Sequence, residues 1–245
     1  MPFFMLGDPD LVTCERLLDA AIAAGADALE LGMPFSDPIA DGPVIQAAAV
    51  RAHAAGATTT RCLDLVTKIR QKHPAIPIGL LVYANLVVAR GVESFYARAR
   101  AAGVDSVLVA DVPLGESAPF VVAAQQAAVA PIFILPPDAA DAVVAAVARA
   151  SSGYVYVLGR SGVTGDGVEP VFPGPSVFAA LRAHGAPPAL VGFGISRPEH
   201  VRAAIANGAA GAISGSAIVG RIAKATDPLH EVSTFVRAMV EAARG

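Results

Sequence analysis

The chain has 245 residues and a formal net charge of −3, a length that fits one to two domains of ~150 residues or a single (β/α)8 barrel of about 250. With 54% hydrophobic and 16% charged residues, it can bury a large core, which excludes disorder as a description of the whole. The slightly acidic balance excludes a strongly basic face, and with it nucleic acid as the main partner.

From the N-terminus, Phe3–Leu6 reads as the first strand, and no basic segment precedes it, so Met1–Asp8 is neither a signal peptide nor a transit peptide. Leu11, Leu17, Leu18, Ala21 and Ile22 share one face of a helix that stops at Gly25, and Ala28–Leu31 follows as the second strand. A helix closed by glycine, with an apolar strand directly after it, recurs at Gly103, Gly153 and Gly208, at intervals of 78, 50 and 55 residues. These are close to three, two and two units of ~26 residues, a length that suits a βα unit. The other strands in chain order are Ile78–Tyr83, Ser106–Ala110, Pro131–Leu135, Tyr154–Leu158, Ala189–Phe193 and Gly211–Ser214, and Leu63, Val66 and Ile69 mark a helix before the third. Eight strands alternating with helices predict a parallel sheet closed into a (β/α)8 TIM barrel, with residues 1–245 as one domain; a doubly wound open sheet is the alternative. The longest uncharged small-residue stretch, Ala203–Gly220, holds Asn207, Ser214, Ser216 and four glycines. It reads as turn, strand and turn rather than a membrane span of ~20 apolar residues.

In such a barrel the active site lies at the C-terminal ends of the strands. Leu29 and Leu31 should face the helices, so Ala28 and Glu30 point into the barrel. A carboxylate in an apolar interior has a raised pKa and can act as a general acid near neutral pH; the alternative is a buried glutamate in a structural pair. The loop Met33–Pro43 contains three prolines and a glycine, which forbid a regular helix, and it is long for a βα connection. It carries Asp37 and Asp41, which either cap turns or, for Asp41, return over the barrel mouth. After the seventh and eighth strands, Gly192–Ser196 and Ser214–Ala217 sit where barrel enzymes grip phosphate with backbone N–H groups and a helix N-terminus, although each also fits an ordinary turn. Arg160–Gly167, with three glycines, is a lid with a cationic residue or a solvated loop.

His53, His73, His184, His200 and His230 show no metal-ligand spacing, and no GxSxG elbow or P-loop occurs. Lys68, Lys72 and Lys224 are the only lysines, and none ends a strand, which disfavours an imine-forming aldolase. Cys14 and Cys62 lack CxxC spacing and read as small buried residues in a reducing cytoplasm.

Leu29–Gln46, running LELGMPFSDPIADGPVIQ, resembles the signature of the tryptophan synthase α subunit family. Further matches are Leu6-Gly7-Asp8-Pro9, Tyr83-Ala84-Asn85, Asp111-Val112-Pro113, Arg160–Gly165, Gly192–Ser196 and Ser214–Ala217, and the similarity runs from Pro2 to the C-terminal helix. The resemblance implies a (β/α)8 barrel that cleaves indole-3-glycerol phosphate to indole and glyceraldehyde 3-phosphate without metal or imine. It implies Glu30 as the acid/base that protonates indole C3, and Asp41 as the anion that holds the indole N–H. Tyr156 matches a position near that glutamate; Phe3, Leu81, Tyr83, Phe193 and Ile213 belong to the substrate pocket; Gly165, Gly194, Gly215 and Ser216 bind phosphate; Arg160 and Thr164 belong to the lid.

It also implies a β-subunit partner in an α2β2 complex, faced by Asp37, Pro38 and Asn85, with pyridoxal phosphate on β and no cofactor on this chain. Alternative readings are a stand-alone lyase releasing free indole, and a weakly active barrel that binds a β-like partner as an allosteric module. Three features depart from the family pattern. A helix of roughly 15–20 residues usually precedes the first strand, whereas this chain opens almost directly with that strand. Met5 and Gly159 stand where Thr and Ser are usual, and Asp166–Pro175 is rich in Gly and Pro.

Overall fold

The computed structural model describes residues 1–159 and 172–245. Its eight strands are β1 (Phe3–Met5), β2 (Leu29–Gly32), β3 (Ile78–Val82), β4 (Ser106–Val109), β5 (Ala130–Leu135), β6 (Val155–Leu158), β7 (Ala189–Gly192) and β8 (Gly211–Ala212). All pair in parallel and in chain order. A bridge between Pro2 and Ser214 brings the last strand back to the first, where the Phe3 N–H donates to the Ser214 carbonyl at 2.8 Å. The predicted barrel therefore forms, and each predicted strand is present within one or two residues of its expected ends.

Local chemistry explains the units. In the first helix, Leu11–Ala23, the Asp10 carboxylate accepts the otherwise unpaired Val12 and Thr13 N–H groups, both at 2.9 Å. The helix ends two residues before Gly25, whose φ of 98° turns the chain into β2. Gly103 and Gly208 do the same at 92° and 107°, in a region that L side chains enter only with strain, whereas the helix Asp141–Ala150 ends at an extended Ser151, two residues before Gly153 at 91°. The stretch Ala203–Gly220 contains more helix than predicted: Pro198–Ala206 enters it, and a helix at Ser216–Lys224 ends it. Among the described residues, no helix is long and apolar enough to cross a membrane.

Alternation along the strands separates two apolar regions. Leu29 and Leu31 are fully buried in the shell between sheet and helices, where trimming either to Ala would cost about 2–5 kcal/mol. Leu108, Ile132, Tyr156 and Ile213 form the interior cluster. Cys14 and Cys62 are buried free thiols, and burial pushes both up to about 12.

Candidate active site

Glu30 is placed by β2. It lies opposite Phe3 of β1 and Gly79 of β3, and is 2% exposed. As the alternation predicted, its carboxyl enters the barrel while Leu29 and Leu31 do not. Burial pushes Glu30 up to about 7; the Tyr154 hydroxyl, which donates to Oε1 at 3.1 Å, and the chain's amino terminus partly offset this. Near neutrality the side chain is thus shared between acid and carboxylate, the state that general acid–base work requires.

Asp41 arrives from the loop between β2 and the helix Pro43–Ala54. That loop is pinned rather than free. The Asp41 N–H donates to the Pro38 carbonyl at 3.1 Å, and Gln46 Nε2 donates to the Asp41 carbonyl at 2.7 Å. Tyr83 donates its hydroxyl to Asp41 Oδ2 at 2.9 Å and accepts the Ala40 N–H at 3.1 Å, while Phe35 stacks on its ring at 5.1 Å. Burial raises Asp41 to about 6, against the Tyr83 hydrogen bond that favours the carboxylate. Of the two acids, Asp41 ionises first as pH rises.

Glu30 and Asp41 line one cavity, whose apolar wall includes Phe3, Leu81, Tyr156 and Phe193. Phe193 has φ of +69° between two glycines, a backbone region costly for a bulky residue. Its ring meets Tyr156 edge-on at 6.0 Å. Gly192 makes this possible, because a Cβ there would lie 2.1 Å from the Tyr156 hydroxyl. Tyr83 stands behind Asp41, and Ile213 packs with Tyr156 in the interior cluster.

The cavity's polar end is formed by Gly194, Ser196, Gly215 and Ser216. Gly215 caps the helix Ser216–Lys224, whose first N–H groups have no intrahelical acceptor and suit an anion. The Ser214 hydroxyl donates to the Ile195 carbonyl at 2.6 Å and ties the two turns together. Arg160, Thr164 and Gly165, expected in the lid and phosphate grip, lie outside the described residues.

Asp37 and Asn85 are exposed, Pro38 is half-buried, and Ile39 between Asp37 and Asp41 is 77% exposed. Lys68, Lys72 and Lys224 are on the surface, and none lines the cavity. Among the described residues, no group of three His, Cys, Asp or Glu side chains could hold a metal ion. Tyr154 was missed in the sequence, where it marks only the start of a strand. The available signal was its spacing of two from Tyr156, which puts both on the inward face.

A family model described as tryptophan synthase alpha chain matches residues 1–244. The chain belongs to that family. The tryptophan synthase alpha chains of Shewanella amazonensis and Citrobacter koseri are 53% and 54% identical to it, over 99% and 100% of this chain and 91% and 92% of theirs. The structure is also similar to a chain of the tryptophan synthase α2β2 complex from Pyrococcus furiosus, with a TM-score of 0.86 and 30% identity, covering 98% of this chain and 96% of that one. Membership in the tryptophan synthase alpha chain family makes the protein a lyase of tryptophan biosynthesis.

Proposed function

We propose that the chain cleaves indole-3-glycerol phosphate by a retro-aldol reaction, with Glu30 as acid and base and Asp41 as the anion beside the ring nitrogen. The observation that carries this reading is the pair of buried carboxylates, raised to about 7 and about 6, on one largely apolar cavity that the Gly194–Ser196 and Gly215–Ala217 turns also line. The apolar wall of Phe3, Leu81, Tyr156 and Phe193 suits a flat aromatic ring, and the Gly194, Gly215 and Ser216 corner suits the phosphate.

The steps balance on these residues. Protonated Glu30 gives its proton to indole C3, breaking the aromaticity of the pyrrole ring and placing positive charge toward its nitrogen. Ionised Asp41 accepts the ring N–H and stabilises that charge. The hydroxyl on the carbon attached to C3 then loses its proton to Glu30, and the carbonyl forms. The C–C bond breaks, and its electron pair returns to the ring. Indole and glyceraldehyde 3-phosphate result, and Glu30 is protonated again. Desolvation of Glu30 matters here, because a carboxyl at its ordinary value near 4.5 would be ionised at neutral pH.

The exposed Asp37, Ile39 and Asn85, with the half-buried Pro38, would face a β subunit in an α2β2 complex, the assembly named for the Pyrococcus furiosus protein. Pyridoxal phosphate would belong to that partner, since it needs a lysine for its Schiff base and no lysine lines this cavity. The reading places the chain in the cytoplasm as one barrel domain over 1–245. Turnover of indole-3-glycerol phosphate by the chain, alone and with β subunit, tests the proposal. Strong activation by β supports the complex, a high rate alone supports a free lyase, and no turnover in either case refutes the enzyme reading.

A further inference from the structure

The aromatic wall of the cavity rests on a residue that does not line it. Phe3 and Met5 share the inward face of β1, and Glu30 and Gly32 share that of β2, with Phe3 paired to Glu30 and Met5 to Gly32. The Phe3 ring leans along the strand, past its own partner, and fills the space that a side chain at position 32 would need. A Cβ on Gly32 would stand 2.5 Å from Phe3 Cζ, 2.9 Å from Phe3 Cε2 and 3.3 Å from Met5 Cε. The other ring edge faces the turn before the helix Ser216–Lys224, where a Cβ on Gly215 would meet Phe3 Cβ and Cδ1 at 3.8 and 4.0 Å, ordinary contact.

The backbone does not call for glycine at position 32. Gly32 lies inside β2, outside the positive-φ region that favours glycine. What its missing side chain supplies is room for a close approach, and the atoms nearest that room belong to Phe3. Carbon atoms pack at about 3.5–4.0 Å, so an alanine here would move the Phe3 ring edge by roughly 1 Å. Met5 stands on one flank and the Gly215 turn on the other, which leaves the cavity as the open side. A flat ring in an apolar slot registers such a change, since one methylene more or less is worth ~10–200-fold in discrimination.

We propose that Gly32 is a specificity-determining residue: its missing side chain lets Phe3 lie back over β2, and that seat sets the width of the slot for the substrate's aromatic ring. Gly32 touches no substrate itself and acts through Phe3. The assignment rests on the cleavage proposed above, and the ring admitted there is an indole that bears no substituent on the edge facing Phe3.

The test compares cleavage of indole-3-glycerol phosphate by wild type, Gly32→Ala, Phe3→Leu and the double variant, with glycerol 3-phosphate as a ring-free probe of each. Gly32→Ala should raise KM about tenfold or more while glycerol 3-phosphate affinity stays within about threefold of wild type. Leucine lacks the Cε2 and Cζ atoms that meet the added methyl, so the double variant should recover most of the loss. A general disturbance of the fold would weaken the ring-free probe as well, and Phe3→Leu would not reverse it. Phe3→Leu alone adds no atom, so it decides the matter even where Gly32→Ala does not fold. Against substrates methylated in turn on each benzo-ring carbon, it should raise relative kcat/KM about tenfold for at least one of them. A wild-type KM in Gly32→Ala, a double variant as impaired as Gly32→Ala, or an unchanged ring preference in Phe3→Leu overturns the proposal. Wild type that cleaves no indole-3-glycerol phosphate refutes the reaction itself. The seat of the ring is then read from a crystal structure of Gly32→Ala, where an unmoved Phe3 overturns it.

Discussion

The Tyr154 hydroxyl donates to Glu30 Oε1 across the barrel interior at 3.1 Å, so a residue at the foot of β6 sets the charge of one on β2. The contact favours the carboxylate, against the burial that raises Glu30 to about 7. Asp41 is raised to about 6, so activity should follow a bell in pH. The acid limb reflects loss of the Asp41 anion, and the alkaline limb loss of the Glu30 proton; both belong to the interacting pair. Removing the hydroxyl as Tyr154→Phe should move the alkaline limb of kcat/KM to higher pH. A limb that stays in place would separate it from Glu30.

Tyr83 has the same relation to Asp41. Its hydroxyl stabilises the Asp41 anion at 2.9 Å and also receives the Ala40 N–H. Tyr83→Phe removes a hydrogen bond worth about tenfold in the acid constant and should push Asp41 further above 6, move the acid limb toward neutrality, and lower the rate at about pH 7 by about twofold. Pre-steady-state measurement of indole formation across pH reads both effects.

Stability should oppose activity at Glu30. Glutamate titrates near 4.5 in an unfolded chain and at about 7 here, so the folded state holds the extra proton between these values. The stability it brings is complete below about 4.5 and is lost as pH rises through about 7. Glutamine has no such proton. Glu30→Gln should therefore be more stable than wild type at about pH 8.5, on the order of 3 kcal/mol, and the gap should close in acid. Urea unfolding at both pH values checks the sign.

A scaffold pair gives an independent prediction. Arg51 Nε and Nη2 grip the buried Asp8 carboxylate at 2.7 and 2.8 Å, joining the end of β1 to the helix after the Asp41 loop. Burial already raises Asp8 despite this partner. Arg51→Met leaves the acid uncompensated and should lower the unfolding free energy by about 3 kcal/mol, the low end for a broken buried pair because Arg51 is 35% exposed.

Much of this was legible in the sequence because it rests on local rules. Gly25, Gly103 and Gly208 end helices through their own backbone freedom, and the strands follow them directly. Glu30 was readable because alternation with Leu29 and Leu31 fixes its face within a few residues. Tyr154 was not, because its role depends on a gap three strands wide: Gly79 has no side chain, and a Cβ there would lie 3.7 Å from the Tyr154 hydroxyl and 2.9 Å from Ser106 Oγ. Tyr83 read as a pocket wall, whereas its partner is the Asp41 carboxylate 42 residues away in sequence. Periodicity gives the direction in which a side chain points, and only assembled strands determine which groups it meets.

The central claim is that Glu30 supplies the proton. Its most direct test is indole formation by Glu30→Gln from saturating indole-3-glycerol phosphate, with glycerol 3-phosphate affinity measured on the same sample. The account predicts no indole above the uncatalysed background and a ligand affinity within about threefold of wild type, since the phosphate is gripped by the Gly194, Gly215 and Ser216 backbone and not by the Glu30 carboxyl. Indole formed at a rate close to wild type would contradict it.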